Sequence, residues 1–572
     1  MTICYIWASH FRNFDDFGLN LSSNVKFSYD SKKHLIKKKN LTNLPANFFG
    51  EKIVDVVGLI GKNGSGKSNA IELVCRLVKS SKSATYSEFL LITEDTGVYN
   101  CYYSFFDSKP PKANFPLNTE EYEGDINPLK IVFFSNVFDN RRTEFGPEVA
   151  DISLNSAVNR TTAPFLKKER LSDFQKQMGL INSKLFKSLN IDIPSKVQLS
   201  SKVFSNRYNM VQETGMYGNS FDSIAKLKSF IRGKIRTIES DNRFFYLLVF
   251  GYFLELINNY FKNYTHKSLR DNKIFKNLNT YISSLIKLKT VEEIANNLID
   301  YLNDQISKSG PDQTWILFEA SSKEDNSFAV ANSQIAFLGE LRDLPDKSII
   351  EHHVEAYRTR ITEYFTFDYQ KNRSRKFINR LVFNFEGMNF FDINWLGISS
   401  GHRAYLNLFS SFYNELKKTK QPNLLLCIDE GDLYLHPKWQ VEFFDKLLLT
   451  LPKIYAGNIQ LILTSHSPFL LSDLPKQSIT ILDKNFQNGS LNGIDLKTNT
   501  FGGNLYDLYS EPFFLGSSRT SDFAYKKIKG LIDKIESQKS ISNKERKELE
   551  KLNDLVGNEV IRYRIKTLLE ND

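Results

Sequence analysis

The apolar run Ile53-Val54-Asp55-Val56-Val57-Gly58-Leu59-Ile60 leads straight into Gly61-Lys62-Asn63-Gly64-Ser65-Gly66-Lys67-Ser68, and a helically spaced segment follows. This is G-x-x-x-x-G-K-[ST] between a strand and a helix, the setting that the motif needs. It commits the chain to an α/β fold, because such a loop works at the carboxyl edge of a buried strand with a helix N-terminus facing the ligand. The glycines let successive backbone N–H groups close around phosphate. Lys67 is expected to reach the β- and γ-phosphates, and the Ser68 hydroxyl to ligate Mg²⁺. The expected nucleotide-binding set therefore runs from Gly61 to Ser68 and on to Asn69, with ATP or GTP as ligand.

Three later segments supply what a phosphate loop lacks. In LGISSGHRAYLNLFSSFYNEL, the turn Ser399-Ser400-Gly401 precedes apolar residues at Ala404, Leu406, Leu408, Phe409 and Phe412, a helical period. Alone, these serines read as an ordinary N-cap. Their place ahead of the next segment favours a second anion site at a helix start. In NLLLCIDEGDLYLHP, residues 424–428 are continuously apolar, as in a strand buried on both faces. The run ends in Asp429-Glu430, expected to hold Mg²⁺ and to polarise the attacking water respectively. A third apolar strand ends in Thr464-Ser465-His466-Ser467-Pro468, where His466 can hydrogen-bond a γ-phosphate or the catalytic water.

In this order the P-loop, the signature-like ISSGH, the Walker B-like LLLCIDE and the switch-like TSHSP resemble the ABC-type ATPase heads of the SMC and RecF families. The resemblance implies a mixed sheet with flanking helices, split by an insertion. It also implies a homodimer in which the signature serine of one head caps the γ-phosphate held by the other. It carries Lys67, Ser68, Ser399, Gly401, Asp429, Glu430 and His466 to their family roles, with Ser400 in the same signature. Ser400 stands where the family commonly has glycine, and His402 where it has glutamine or glutamate. The glutamine loop is placed at Ser135-Asn136 in IVFFSNVFD.

The phrases YIWASHFRNFDDFGLNLSS, DEGDLYLHPKWQ, LILTSHSPFLLSDLP and TFGGNLYDLYSEPFFL resemble bacterial antiphage ATPases. The nearest type is the PtuA ATPase of Septu systems, which also serves as an effector subunit in some retrons. The phrases are shared with overcoming-lysogenization-defect nucleases, and the resemblance spans most of residues 1–110 and 380–565. It implies an ATP-binding and ATP-hydrolysing defence subunit that works with a separate HNH-type nuclease. In retron settings, a reverse transcriptase and its nucleic-acid product join it. A RecF/SMC-like DNA-repair ATPase is the alternative. A soluble transporter subunit is disfavoured by the altered signature and the long insertion.

The remaining sequence divides into a first ATPase lobe at 1–150, a largely helical insertion at 151–345, a second lobe at 346–515 and a helical tail at 516–572. Helical patterns cover 221–238, the apolar stretch from Phe244, 291–306, 522–535 and 543–568. No sustained heptad is present, so the insertion reads as a compact helical unit or a short coiled coil. RLVFNFEG and FFDINWLG read as two strands around Gly387. No D-x-D follows His466, so a Toprim nuclease is not expected. The run from Phe244 is interrupted at Glu255, short of the roughly 20 apolar residues of a membrane span.

The cysteines Cys4, Cys75, Cys101 and Cys427 are scattered and the N-terminus lacks a signal-peptide pattern. A cytoplasmic protein without disulfide or zinc framework is expected. The net charge of +10 is concentrated at Lys37-Lys38-Lys39, Lys167-Lys168-Glu169-Arg170 and Lys371-Asn372-Arg373-Ser374-Arg375-Lys376. Each cluster reads as nucleic-acid contact or as a solvated face. Residues 371–380 and the surroundings of Arg232 and Arg236 are the first places where nucleic acid is expected.

Overall fold

The three apolar runs read as strands, Ile53–Gly61, Asn423–Asp429 and Asn458–Thr464, lie side by side in one sheet. A computed structural model describes the chain apart from residues 43, 63, 79–86, 125, 127, 138–144, 147, 156–171, 205–221, 262–272, 308–326, 343–348, 358–359, 386–387, 389, 483–490, 493–495, 498, 511–520, 538–541 and 571–572. The cluster at Lys167 and the expected turn at Gly387 lie outside the described residues, as does Asn63 of the P-loop.

Across the central sheet the order is Val149–Asp151, Leu129–Ser135, Asn423–Asp429, Asn458–Thr464, Ile53–Gly61, Ile479–Leu482 and Leu491–Asn492. All neighbours are parallel except the last pair, which is antiparallel and makes the sheet mixed. The P-loop strand and the carboxylate strand are thus separated by one strand, Asn458–Thr464.

Alternation along each buried strand feeds two cores. Leu425 and Cys427 join Ala70, Ile71, Val74 and Leu77 of the helix Lys67–Val78. Leu424, Leu426 and Ile428 join Leu408, Phe409 and Phe412 of the helix Ser400–Leu416 on the other face. This double coverage explains why the strands read as unbroken apolar runs.

A second, five-stranded sheet is built on Thr2–Phe11 and shares the core beneath the P-loop helix through Ile3, Ile6, Phe17 and Leu19. Gln460 stitches it to the central sheet. Its amide accepts from Ile3 N–H at 2.8 Å and donates to the carbonyls of Ile3 at 2.8 Å and Leu21 at 3.0 Å. The ladder between Thr2–Phe11 and Phe89–Asp95 shifts register between Ile3 and Tyr5, next to where Gln460 engages the backbone.

Between the P-loop and the carboxylate strand stand the helices Asp173–Ile181, Asp222–Lys234, Ser240–Phe261, Lys273–Leu285, Val291–Ser307 and Ser327–Arg342. The apolar stretch at Phe244 is a buried helix, as expected, and among the described residues no helix is long and apolar enough to cross a membrane. The strand Lys196–Ser201 lies amid these helices in sequence. It pairs with Arg360–Asp368 and Phe391–Leu396 in a four-stranded antiparallel sheet completed by Ile349–Tyr357.

One expectation is corrected. RLVFNFEG belongs mostly to a helix, Asn372–Phe385, and only FFDINWLG supplies a strand, Phe391–Leu396. Leu381, Phe383 and Phe385 alternate as a strand would, but Phe383 is 78% exposed and the buried set is Ile378, Leu381, Val382 and Phe385. That spacing is helical. In the tail, the single pattern over 543–568 is two helices, Asn543–Asp554 and Glu559–Glu570. Val556, between them, turns into a small separate core with Leu531, Ile535, Leu549, Ile565 and Leu569. The molecule is therefore an α/β protein with a mixed sheet, flanking helices, a helical insertion and a helical tail.

Replacing Gln460 with Leu keeps the volume but leaves the backbone groups of Ile3 and Leu21 buried without these partners. Each such group costs about 1–3 kcal/mol, so Gln460→Leu should destabilise the fold by about 3 kcal/mol or more in urea unfolding. A loss below about 1 kcal/mol would show that the two sheets do not depend on this clamp.

Candidate nucleotide site

The P-loop turns as its glycines require. Gly64 and Gly66 have φ of 73° and 97°, and a Cβ on Gly66 would stand 2.7 Å from the Phe14 ring and 3.0 Å from Asn13 Nδ2. The loop closes through Ser65 N–H donating to the Lys62 carbonyl at 3.1 Å. Lys67, the first residue of its helix, turns its ammonium back onto the carbonyls of Gly61 at 3.0 Å and Lys62 at 3.3 Å. Burial brings its pKa down to about 8, against the opposing pull of Glu430 and Asp429. A partly desolvated cation inside a glycine loop is arranged to receive phosphate.

The hairpin turn Arg12-Asn13 covers the start of the same helix, a feature that the motif reading missed. Arg12 Nη1 donates to Asn69 Oδ1 at 2.9 Å and Nη2 to Glu72 at 2.7 Å, while Asn69 donates to Asn13 Oδ1 at 2.5 Å. Arg12 itself adopts φ 53°. Asn69 is thus engaged with the hairpin. Its only advance sign was the polar pair inside HFRNF, which has no local structural signature.

Strand register assembles the carboxylate end of the site. Ser135, Asp429 and Thr464 stand in one row across three neighbouring strands. Asp429, 4% exposed, accepts from Thr464 Oγ1 at 2.7 Å, Ser68 Oγ at 3.2 Å and Ser135 Oγ at 3.4 Å. Burial raises its carboxyl above the ordinary carboxylate range, opposed first by the Thr464 and Ser68 hydroxyls. Asn136 continues the contact, its N–H donating to the Asp429 carbonyl at 3.3 Å and its amide to the Leu433 carbonyl at 2.8 Å. Among the described residues no group of three or more His, Cys, Asp or Glu side chains is placed to hold a metal. The Ser68 hydroxyl beside the Asp429 carboxylate fits Mg²⁺, which takes one or two protein oxygens and fills its shell with phosphate and water.

Glu430 leaves the strand with φ 49°, a left-handed conformation that costs a non-glycine residue of order 1 kcal/mol and is held by the surroundings. Its N–H donates to Thr464 Oγ1 at 2.9 Å, and its Oε1 lies 3.2 Å from His466 Nε2. The His466 contact, ahead of any other favourable influence, lowers the Glu430 pKa and keeps it ionised. Asp432 was not foreseen as a site residue. Buried, it accepts from Ser465 Oγ at 2.5 Å, and Ser465 Oγ in turn accepts from Ser467 N–H at 2.8 Å. The loop carrying His466 is therefore pinned to the segment after Glu430 through Ser465, the residue before the histidine.

The signature segment occupies a different place in the chain's contacts. Ser399 caps the helix Ser400–Leu416, accepting from His402 N–H at 3.1 Å, and both Ser399 and Ser400 are exposed. Gly401 packs against the turn after the carboxylates, where a Cβ would lie 3.3 Å from the Tyr434 carbonyl and 3.5 Å from the Trp439 ring. His402 sits edge-on to Trp439 at 5.8 Å, and burial lowers its pKa. Within one chain the structure brings Lys67, Ser68, Asp429, Glu430 and His466 together. Ser399 and Ser400 make no hydrogen bond to the described P-loop residues.

Residues 231–472 match a family model described as "AAA domain, putative AbiEii toxin, Type IV TA system". The match begins beyond the P-loop and takes in the signature, the carboxylate strand and His466. The chain carries a P-loop ATPase domain. It is similar to the retron Vc95 probable ATPase of Vibrio cholerae serotype O1 biovar El Tor, at 31% identity over 154 residues. That stretch spans 26% of this chain and 28% of the relative. The domain is thus of a kind associated with toxin–antitoxin and retron systems, and the family supports nucleotide hydrolysis in general terms.

Removing the Asp432 carboxylate should leave Ser465 without its acceptor and His466 less well placed. Asp432→Ala should lower stability by about 1–3 kcal/mol in urea unfolding and lower kcat for ATP more than it changes KM. Unchanged kcat would show that the Asp432–Ser465 contact does not position the histidine.

Proposed function

We propose that this chain is the ATP-binding and ATP-hydrolysing subunit of a bacterial antiphage defence complex of the Septu or retron kind. It controls a separate nuclease through ATP-dependent pairing of ABC/SMC-like heads. The observation that carries the reading is the meeting of Ser68, Asp429, Glu430 and His466 at the ends of parallel strands. The resemblance to a retron ATPase supports the biological setting.

On this reading residues 1–150 and 346–515 are the two lobes of the head, 151–345 is its insertion and 516–572 a helical tail. Ser68 and Asp429 would hold Mg²⁺, which would supply charge neutralisation during phosphoryl transfer. Lys67 exchanges its two carbonyl contacts for phosphate oxygens. Glu430, kept ionised by His466, orients and deprotonates the attacking water, and His466 senses the γ-phosphate through that same contact. Ser399 and Ser400, exposed at a helix start, are free to meet the phosphate held by a second copy. Because Gly401 abuts the turn after Glu430, closure of the pair is felt at the catalytic carboxylate.

The test combines two variants. Glu430→Gln keeps the shape but not the base, so it should slow hydrolysis by about 100-fold or more and accumulate a dimer with Mg·ATP in size-exclusion chromatography. Adding Ser399→Arg should leave ATP binding intact and return the protein to monomer. Wild-type turnover in Glu430→Gln, or a dimer that tolerates Ser399→Arg, would contradict the mechanism. Co-purification from the native operon should bring down a nuclease subunit, and cleavage by the isolated chain would refute the division of labour.

A further inference from the structure

Away from the ATP site, a cavity of about 320 Å³ opens between the end of the helix Asp222–Lys234 and the hairpin Ile349–Tyr357 with Arg360–Asp368. Its charged lining is Arg232, Arg236, Arg243 and Glu363, and apolar walls come from Phe204, Ile235 and Ile361. Two of these charges answer each other. Arg243 grips Glu363 through Nε at 2.6 Å and Nη2 at 2.8 Å, both side chains buried, and His352 Nε2 lies 3.3 Å from the same carboxylate. Arg243 also donates to the Arg236 carbonyl at 3.4 Å, fixing the backbone at the cavity mouth.

Arg232 and Arg236 remain. Both are exposed, and among the described residues no carboxylate pairs with either. Lys228, one turn before Arg232, has its pKa lowered to about 8 by burial and then by Arg232, which marks an excess of positive charge on this face. The other basic cluster is different. Lys371 pairs with Asp368 at 3.8 Å, Arg375 donates to the Tyr369 carbonyl at 3.1 Å and lies over its ring, and Arg380 pairs with Glu340 at 2.6 Å. Of these two clusters, among the described residues only that of Arg232 and Arg236 presents unpaired guanidiniums beside a cavity.

We infer that this cavity is a second nucleotide-binding site, which takes one nucleotide unit with its phosphate on Arg232 and Arg236 and its base among Phe204, Ile235 and Ile361. The chemistry fits because guanidinium forks match phosphate oxygens, and apolar walls accept the flat face of a base. The volume lies at the lower end of ligand pockets, roughly 300–1,000 Å³, which suits one nucleotide and excludes a duplex. The unit is either a free nucleotide or the end of a single strand. The inference goes beyond the proposed ATPase role, takes up the nucleic-acid contact expected from the sequence around Arg232 and Arg236, and is independent of the ATP site.

The full chain, without added ATP, is titrated against a fluorescent single-stranded oligonucleotide by anisotropy, with nucleoside monophosphate, inorganic phosphate and a phosphoserine peptide as competitors. Arg232→Ala with Arg236→Ala should weaken strand binding about tenfold or more and flatten its salt dependence. Lys371→Ala with Lys376→Ala should not. Thermal unfolding and ATP hydrolysis, followed in parallel, should match wild type in both double variants, so failure here is separable from failure of the ATPase reading. Competition by free nucleoside monophosphate identifies the free nucleotide as ligand, and competition by strands alone identifies a strand end; either supports the site. Equal affinity in wild type and the arginine variant, absence of binding by wild type, or stronger competition by the phosphopeptide would overturn it.

Discussion

The Asp429 carboxylate is the point on which the arrangement turns. It is buried, it is pushed toward protonation by that burial, and its described side-chain partners are three hydroxyls from chain segments 361, 294 and 35 residues away. Neutral hydroxyl donors recover only part of the cost of desolvating a carboxylate. The site is stable because the parallel sheet fixes the row Ser135, Asp429, Thr464 through its own ladder, and both faces of that sheet are packed. The cation that Asp429 and Ser68 fit would relieve a cost already carried by the fold.

From Asp429 the same logic extends outward. Thr464 uses its hydroxyl twice, donating to Asp429 and accepting from Glu430 N–H, and so ties a strained backbone turn to the buried carboxylate. His466 holds Glu430 ionised, and Asp432 holds the loop of His466 through Ser465. A shift of the strand Asn458–Thr464 would be felt at Asp429, at Glu430 and at Gly401, which packs against the following turn. Chemistry and conformation share one network.

The sequence disclosed the parts of this network that rest on local pattern. Apolar runs that end in polar tips gave the three strands, because strands buried on both faces cannot alternate. Glycines at 64 and 66 gave the loop, because φ of 73° and 97° favours glycine and a Cβ at Gly66 would crowd Phe14 and Asn13. What escaped depends on long-range contact. Arg12 meets Glu72 across 60 residues, and Lys196–Ser201 becomes a strand only by sheltering between Arg360–Asp368 and Phe391–Leu396. RLVFNFEG misled because Leu381, Phe383 and Phe385 alternate as a strand would, whereas the helical set Ile378, Leu381, Val382 and Phe385 begins before that phrase and leaves Phe383 exposed.

The most direct test of the account is calorimetric titration of a non-hydrolysable ATP analogue into wild type and Asp429→Asn, with and without Mg²⁺. The asparagine keeps the hydroxyl row nearly intact but removes the charge. Magnesium should tighten binding to wild type and leave the variant unchanged, with both proteins equal in its absence. Full magnesium dependence in Asp429→Asn would contradict the claim that Asp429 and Ser68 together form the metal end of the nucleotide site.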